Sequence, residues 1–245
     1  MSDALAPSAA PPVSPLAPTP FLASWREFAA YLRRPVHQVP GSLKAPGAWR
    51  AFGALWLLDV VGLVVLLVVL TLYMKVTGLP GPDAFDQVPR EWLVPLVVLA
   101  APVIEETVFR GWLAGRPRAL WLLGGLAALA LAAMLLADGT PLRLAVVGLV
   151  LLAMPLGWYL LRKRAAPGWF GRFFPVIFWG TALVFGLVHL SNYPSPGLLA
   201  LPLILPQVWA GLVFGFMRMR LGLAAAMLAH AGANALAVAP TFLGL

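Results

Sequence analysis

The chain contains no cysteine among its 245 residues, and charged residues make up only 11% of it. The absence of cysteine excludes disulfide bonds, a thiol nucleophile and thiolate metal ligands, so any catalysis must use oxygen or imidazole groups. With 61% hydrophobic residues and a mean hydropathy of +0.89, a soluble domain of this size would expose large apolar patches. This composition indicates a protein that crosses a membrane several times.

Sequence motifs of several hydrolase classes are also missing. The chain has no His-Glu-x-x-His zinc motif, no Gly-x-Ser-x-Gly nucleophile elbow and no Gly-x-Gly-Asp motif. The formal charge of +8 comes from short basic clusters beside apolar runs, a pattern that suits anionic lipid headgroups. Since no contiguous basic stripe is present, we expect a lipid bilayer and no nucleic acid as partner.

Seven apolar stretches are each close to the roughly 20 residues that a membrane-spanning helix needs. They cover about 50–73, 91–113, 119–137, 141–161, 173–190, 198–217 and 221–241. Of the 17 lysines and arginines, thirteen lie on one side of these spans, three (Lys75, Arg90 and Arg143) on the other, and Arg110 inside a span. Cytoplasmic loops carry the excess, so we predict a cytoplasmic N-terminus.

The predicted fold is an all-α, polytopic transmembrane bundle of about seven spans, with six to eight as the range. Residues 1–20 are rich in proline and alanine and lack the basic start of a signal peptide, so we expect a disordered tail. Residues 21–48 form an amphipathic segment whose helix places Trp25 and Phe28 on an apolar face, which is typical of an interfacial helix. Residues 49–245 are the transmembrane domain. The Ala/Leu/Arg-rich usage favours a bacterial inner membrane.

Two adjacent acids, Glu105 and Glu106, lie inside a stretch that should be in lipid. A charge at mid-bilayer costs about 2.5–3.5 kcal/mol on insertion scales, so it is retained mainly where it pairs or does chemistry. Glu106 stands four residues before Arg110, the favourable order for a pair on one helix face. We predict this pair, with a purely structural role as the alternative. Because helix neighbours diverge by about 100°, Glu105 is left free as a general base.

Two of the three histidines are also intramembrane. Phe185 and His189 share one helix face, as do His230 and Asn234, because residues four apart on a helix point the same way. A structural histidine at position 189, or an interhelical hydrogen bond by Asn234, is the simpler alternative. The third histidine, His37, lies in the basic N-terminal segment, where we expect a solvated or interfacial role.

Three motifs in this order, Glu105-Glu106-x-x-x-Arg110, Phe185-x-x-x-His189 and His230-x-x-x-Asn234, resemble the signature motifs of the CPBP family. That family comprises type II CAAX prenyl endopeptidases and bacterial relatives linked to bacteriocin processing or immunity, and the resemblance covers roughly residues 90–240. It implies an intramembrane endopeptidase acting on a membrane-associated peptide or protein, CAAX-like or bacteriocin-like. In this interpretation Glu105 and His189 activate a water, while His230 and Asn234 hold the oxyanion.

The resemblance leaves the metal question open. The family is often labelled a metalloprotease, and Glu105, His189 and His230 match the ligand count of a catalytic zinc site. Its CAAX-processing members look metal-independent, so we expect no cofactor, with zinc at these three residues as the alternative.

Two other functions compete with the endopeptidase. A proton- or ion-coupled transporter could use Glu105, the histidines and the additional intramembrane acid Asp59 as a relay, although no internal repeat is visible. A catalytically silent immunity scaffold is the third possibility. For Asp59 itself we expect a structural role or a basic partner from the cytoplasmic side.

The predicted topology contains one conflict of depth: it places His189 and Glu105 at different depths in the membrane. His189 falls near the outer end of its span, whereas Glu105 lies about 14 residues, or roughly 21 Å, from the outer end of its own. The two can meet if Pro95 and Pro102 break the second span, or if Asn192–Gly197 folds back into the protein.

Overall fold

The computed structural model describes residues 21–84, 88–194 and 197–243, and these residues form eight helices and no strand. The predicted tail, residues 1–20, lies outside the described residues. Seven of the helices are long and apolar enough to cross a membrane, which confirms the all-α class and the number of spans. The helices are α1 (Phe21–Arg33), α2 (Ala48–Thr77), α3 (Arg90–Arg110), α4 (Pro117–Leu135), α5 (Pro141–Leu160), α6 (Gly168–Val188), α7 (Leu205–Leu221) and α8 (Leu223–Leu243).

Helix α7 is the centre of the bundle. Helices α1, α2, α6 and α8 all pack against it, and Val213, Phe214, Phe216, Met217 and Met219 are almost completely buried. The outer faces of the surrounding helices carry exposed leucines and valines, as expected where the neighbour is lipid instead of water.

Helix α1 is present where the sequence predicts it, and its apolar face packs on protein. The ring of Phe28 meets those of Trp209 and Phe216 at centroid distances of 5.8 and 5.5 Å. The segment after α1 crosses the end of α7, where the Gly41 amide donates to the Met219 carbonyl (3.1 Å). The N-terminal segment is thereby tied to the centre of the bundle.

His37 lies in this crossing segment. Its ring packs against Phe170 and Phe174, at centroid distances of 5.1 and 5.4 Å, and Nε2 is buried with no hydrogen-bond partner among the described residues. The side chain as a whole is half-buried, so the expected solvated or interfacial role stays a prediction.

Helices α4 and α5 form a hairpin that packs mainly on itself. The Trp121 indole N–H donates to the Ala153 carbonyl (3.0 Å), and Gly157 leaves the space that the Trp121 ring fills. In each of the two helices, a single residue is fully buried.

The conflict of depth is resolved after His189, where α6 ends. The chain makes a 3₁₀ turn at His189–Asn192 and a second at Leu198–Ile204, in which Ala200 and Leu203 are buried against the outer part of α2. The Tyr73 hydroxyl donates to the Leu199 carbonyl (2.8 Å). Burial raises the pKa of the Tyr193 hydroxyl, which donates to the Leu203 carbonyl (3.1 Å). The segment thus folds back into the protein, the second of the two predicted solutions.

The first predicted solution, a break in the second span, is only partly present. Helix α3 is continuous from Arg90 to Arg110, but its residues Leu93–Ala100 are π-helical. Pro95 and Pro102 do not end the helix; they change its hydrogen bonding.

Candidate active site

The buried ion pair that the sequence predicts is present in α3. Arg110 NH1 lies 2.7 Å from Glu106 Oε1, and both side chains are 0% exposed. The guanidinium carbon of Arg110 also lies 3.9 Å from the centroid of the Phe185 ring, a distance typical of a cation–π contact. Pairing and the aromatic face together reduce the cost of holding two charges at this depth.

His230 connects this pair to the second glutamate. Its Nδ1 lies 3.0 Å from Glu106 Oε1, and because a carboxylate only accepts, Nδ1 carries the proton. Its Nε2 lies 3.8 Å from Glu105 Oε2. The ring of Phe214 stacks on the imidazole, with a centroid distance of 5.2 Å and an interplanar angle of 23°. Glu106 and Phe214 thus fix the orientation of His230.

His189 reaches Glu105 from the end of α6. Its Nδ1 donates to the Phe185 carbonyl (2.7 Å), since a carbonyl oxygen cannot donate. Its Nε2 lies 3.8 Å from Glu105 Oε2. Both imidazoles therefore direct Nε2 at the same carboxylate oxygen, and when neutral each carries a lone pair there. Glu105 thus meets both intramembrane histidines, and the catalytic roles expected of the three residues stay predictions.

Asn234 lies one turn beyond His230 and bonds to the backbone of α3. Its Nδ2 donates to the Val97 carbonyl (2.8 Å). The Ala101 N–H donates to the Leu96 carbonyl, and the next residue, Pro102, has no N–H, so Val97 lacks a helical donor. Asn234 supplies that donor and retains a second N–H. Its predicted action on the oxyanion stays a prediction.

An apolar cavity of about 330 Å³ has Val108 and Phe109 in its lining, three and four residues after Glu105. The cavity lies between α3, α4 and α6 and is lined mainly by Val108, Phe109, Trp112, Ile177, Thr181 and Val184. The Thr181 hydroxyl donates to the Ile177 carbonyl (2.7 Å), so the walls offer no free polar group except backbone.

Sequence reasoning missed Arg218, which holds the end of α3. Its Nε donates to the Arg110 carbonyl (2.9 Å) and its NH2 to the Gly111 carbonyl (3.5 Å). A cation at a helix C-terminus satisfies carbonyls that have no helical donor. In the sequence Arg218 looks like one of the basic residues that mark the cytoplasmic side, and no local signal separates it from Arg220.

Asp59 is the intramembrane acid outside the three motifs. It is 0% exposed on α2, and within the described part of the chain neither carboxyl oxygen has a hydrogen-bond partner. Of the two expected roles, a basic partner is therefore absent among these residues, and a structural role stays a prediction.

Zinc at Glu105, His189 and His230 is the alternative that the sequence leaves open. Both imidazole Nε2 atoms lie 3.8 Å from Glu105 Oε2. Among the residues that the structure describes, no group of three or more histidine, aspartate or glutamate side chains is arranged to hold a metal ion. The expectation that the site uses no cofactor stays a prediction.

Comparison with known families covers the region of the three motifs. Residues 88–174 and 159–236 match the family model described as Type II CAAX prenyl endopeptidase Rce1-like. No curated protein and no solved structure shows significant similarity to the chain. The match supports an intramembrane protease of the CAAX type and gives no support to the label metalloprotease. Since the matched residues make up more than half of the chain, this multi-pass membrane protein belongs to the type II CAAX prenyl endopeptidase Rce1-like family.

Proposed function

We propose that this protein is an intramembrane endopeptidase in which Glu105 is the general base. The observation that carries the proposal is the approach of both Nε2 atoms, those of His189 and His230, to Glu105 Oε2 at 3.8 Å each. At that separation the groups make no direct hydrogen bond, and a water between them can be oriented by more than one acceptor.

Hydrolysis by this site conserves every proton. Glu105, assisted by His189, takes one proton from the water, and the oxygen attacks the scissile carbonyl carbon to give a tetrahedral oxyanion. When the C–N bond breaks, the same proton passes to the leaving amine, which restores the carboxylate. Carboxylate and imidazole are the side chains most suited to such transfer.

Stabilisation of the oxyanion falls to His230 and Asn234. His230 can donate from Nε2 only as an imidazolium, because its Nδ1–H is directed to Glu106. The ion pair of Glu106 with Arg110 fixes the carboxylate that holds this ring. The second N–H of Asn234 is the other proposed donor, and loss of one such donor typically costs about 10²–10³ in rate.

The proposed substrate is a membrane-associated peptide or protein, CAAX-like or bacteriocin-like, cleaved in a bacterial inner membrane by an enzyme with a cytoplasmic N-terminus. The apolar cavity lined by Val108 and Phe109 on α3 supports a substrate with apolar groups. A transporter receives no comparable support, since Asp59 makes no side-chain hydrogen bond that would join it to a relay within the described residues.

The test compares two isosteric substitutions on α3. Glu105→Gln removes the proposed base, whereas Glu91→Gln removes an exposed acid near the start of the same helix. Membrane proteomics of cells carrying each variant should show uncut membrane-associated peptides accumulating only with Glu105→Gln. Equal processing by wild type and Glu105→Gln would contradict the proposal.

A further inference from the structure

Helix α8 carries its two site residues on one face and a glycine on the other. His230 and Asn234 lie four residues apart and both contact α3. The His230 Nδ1 atom lies 3.0 Å from Glu106 Oε1, and Asn234 Nδ2 donates to the Val97 carbonyl (2.8 Å). Gly232 lies two residues from each of them. Because successive helix residues diverge by about 100°, Gly232 lies on the opposite face of α8, directly behind the two site residues.

Trp56 of α2 occupies the space beside Gly232. A methyl group at position 232 would lie 2.8 Å from Trp56 Nε1 and 3.1 Å from two carbons of the indole ring. Favourable contacts between such atoms begin at about 3.5 Å. Helices α2 and α8 contact each other, and the Trp56 side chain also packs against the buried core. The missing side chain at Gly232 therefore lets the indole ring approach the backbone of α8.

This contact acts through packing alone. The Trp56 indole N–H is buried with no hydrogen-bond partner among the residues that the structure describes. Trp209 and Trp121 also fill the space beside a glycine, Gly62 and Gly157 respectively, but each of them donates its indole N–H to a backbone carbonyl of the neighbouring helix. Without such a bond, the position of α8 against Trp56 depends on the size of the two packed groups.

We propose that Trp56 is a positioning residue whose ring, seated against Gly232, holds α8 against α3. It thereby fixes His230 and Asn234 relative to Glu105. A closely packed interior transmits a change on one face of a helix to its other face, and a misplacement of about 1 Å can lower a rate about 10²-fold. The effect on turnover rests on the proposed endopeptidase function, whereas the spacing of α3 and α8 does not.

Turnover is tested by variants that overfill, empty and refill this contact. Gly232→Ala forces the ring or the helix to move by about 0.7 Å, so kcat should fall about 10-fold or more with KM unchanged. Trp56→Phe shortens the ring that meets α8, and kcat should fall by a similar factor. In the Gly232→Ala/Trp56→Phe double variant, the methyl group fills part of the space that the smaller ring leaves. Its kcat should recover to within about threefold of wild type.

The matched control overpacks a different pair of helices. Gly62→Ala places a methyl group 2.3 Å from the Trp209 ring, between α2 and α7. It should lower the melting temperature through overpacking and leave kcat unchanged. If Gly62→Ala lowers kcat as much as Gly232→Ala does, overpacking anywhere in the bundle slows turnover, and the role assigned to Trp56 is wrong.

The spacing of α3 and α8 is tested without a cleavage assay. Val98 of α3 and Ala235 of α8 line one apolar cavity of about 340 Å³. Because the chain has no cysteine, Val98→Cys/Ala235→Cys allows a single disulfide within the chain. Disulfide formation requires a narrow range of Cβ separations, so Trp56→Phe should slow it about threefold or more in lipid nanodiscs, and adding Gly232→Ala should restore the rate. An unchanged rate in Trp56→Phe would overturn the proposal, whatever the activity of the protein.

The outcomes separate this proposal from its rivals. If Gly232→Ala melts at a lower temperature yet keeps the wild-type kcat and rate of disulfide formation, the contact only stabilises the fold and the proposal is wrong. If the double variant is no better than either single variant, the two groups do not act through each other and the proposal is likewise wrong. If Gly232→Ala does not fold, the kcat and the disulfide rate of Trp56→Phe decide. A wild-type chain that cleaves nothing contradicts the endopeptidase and leaves the disulfide test valid.

Discussion

The helices around α7 and the α4–α5 hairpin are all apolar enough to cross a membrane, but they differ in what they bury. Helix α7 buries twelve of its 17 residues, and the helices around it carry buried polar side chains that include Glu106, Arg110, His230 and Asp59. Each hairpin helix buries a single small residue. In a membrane, where lipid is as apolar as leucine, helix association depends on close packing and polar contacts. The centre uses both, whereas the hairpin uses close packing around glycine and one indole hydrogen bond.

The largest expected effect concerns the three groups that converge at the centre. Glu105→Ala, His189→Ala and His230→Ala should each abolish detectable cleavage, because a positioned acid or base contributes about 10²–10⁴ in rate and an oxyanion donor about 10²–10³. Cleavage assays should be paired with melting curves in detergent. A variant that loses its cooperative melting transition would assign that residue a structural role instead.

Asn234 combines two roles that one double variant can separate. Asn234→Ala should lower kcat about 10²–10³-fold if its free N–H binds the oxyanion, and lower stability by about 1–3 kcal/mol because the Val97 carbonyl loses its donor.

Adding Pro102→Ala places a new backbone N–H five residues after Val97, the spacing of a π-helical bond. The double variant should recover the melting temperature but not kcat. Recovery of both would show that Asn234 serves only the helix.

Arg218 tests whether the buried centre of the bundle also controls the C-terminal end of α3. Arg218→Met should lower stability by about 1.5–3 kcal/mol through loss of a charged hydrogen bond to the Arg110 carbonyl, and it should also lower kcat, because α3 carries Glu105 and Glu106. Arg218→Lys should recover part of the loss. The matched control is Arg220→Met on the same helix, whose side chain pairs with Glu27 of α1 (2.7 Å). An equal loss of kcat in both variants would mean that neither arginine acts through α3.

In the α4–α5 hairpin, a substitution should change the stability of the protein and leave kcat unchanged. Gly157→Ala places a methyl group against the Trp121 ring and should lower stability by about 1–3 kcal/mol through overpacking, with kcat unchanged. Gly148→Ala on the same helix meets no atom within 4 Å and should leave both quantities unchanged. A fall in kcat with Gly157→Ala would show that the hairpin takes part in turnover.

The smallest expected effect is that of chelators. Because no group of three or more histidine, aspartate or glutamate side chains among the described residues is arranged to hold a metal ion, strong chelators should leave the rate of cleavage unchanged, and metal analysis should find well below one equivalent of zinc per chain. Activity that is lost in chelator and returns on addition of zinc would contradict the metal-free mechanism.

The sequence by itself determined the properties that depend on local composition and spacing. Apolar runs of sufficient length define the seven spans, because only helices of that length satisfy their backbone inside lipid. The four-residue spacing of Glu106 and Arg110 defines their pair, because helix geometry places such residues on one face. The three motifs indicate the family without any contact between helices being known.

The tertiary structure decided every property that depends on how the helices pack. Only packing turns the segment after His189 back against α2, and only packing brings His189 and His230 to one oxygen of Glu105. Arg218 caps α3, and Asn234 replaces the donor that Pro102 lacks. These partners lie 108 and 137 residues apart in the chain. Hydrogen bonds and burial over such separations are set by interhelical packing, for which a single sequence carries no periodic signal.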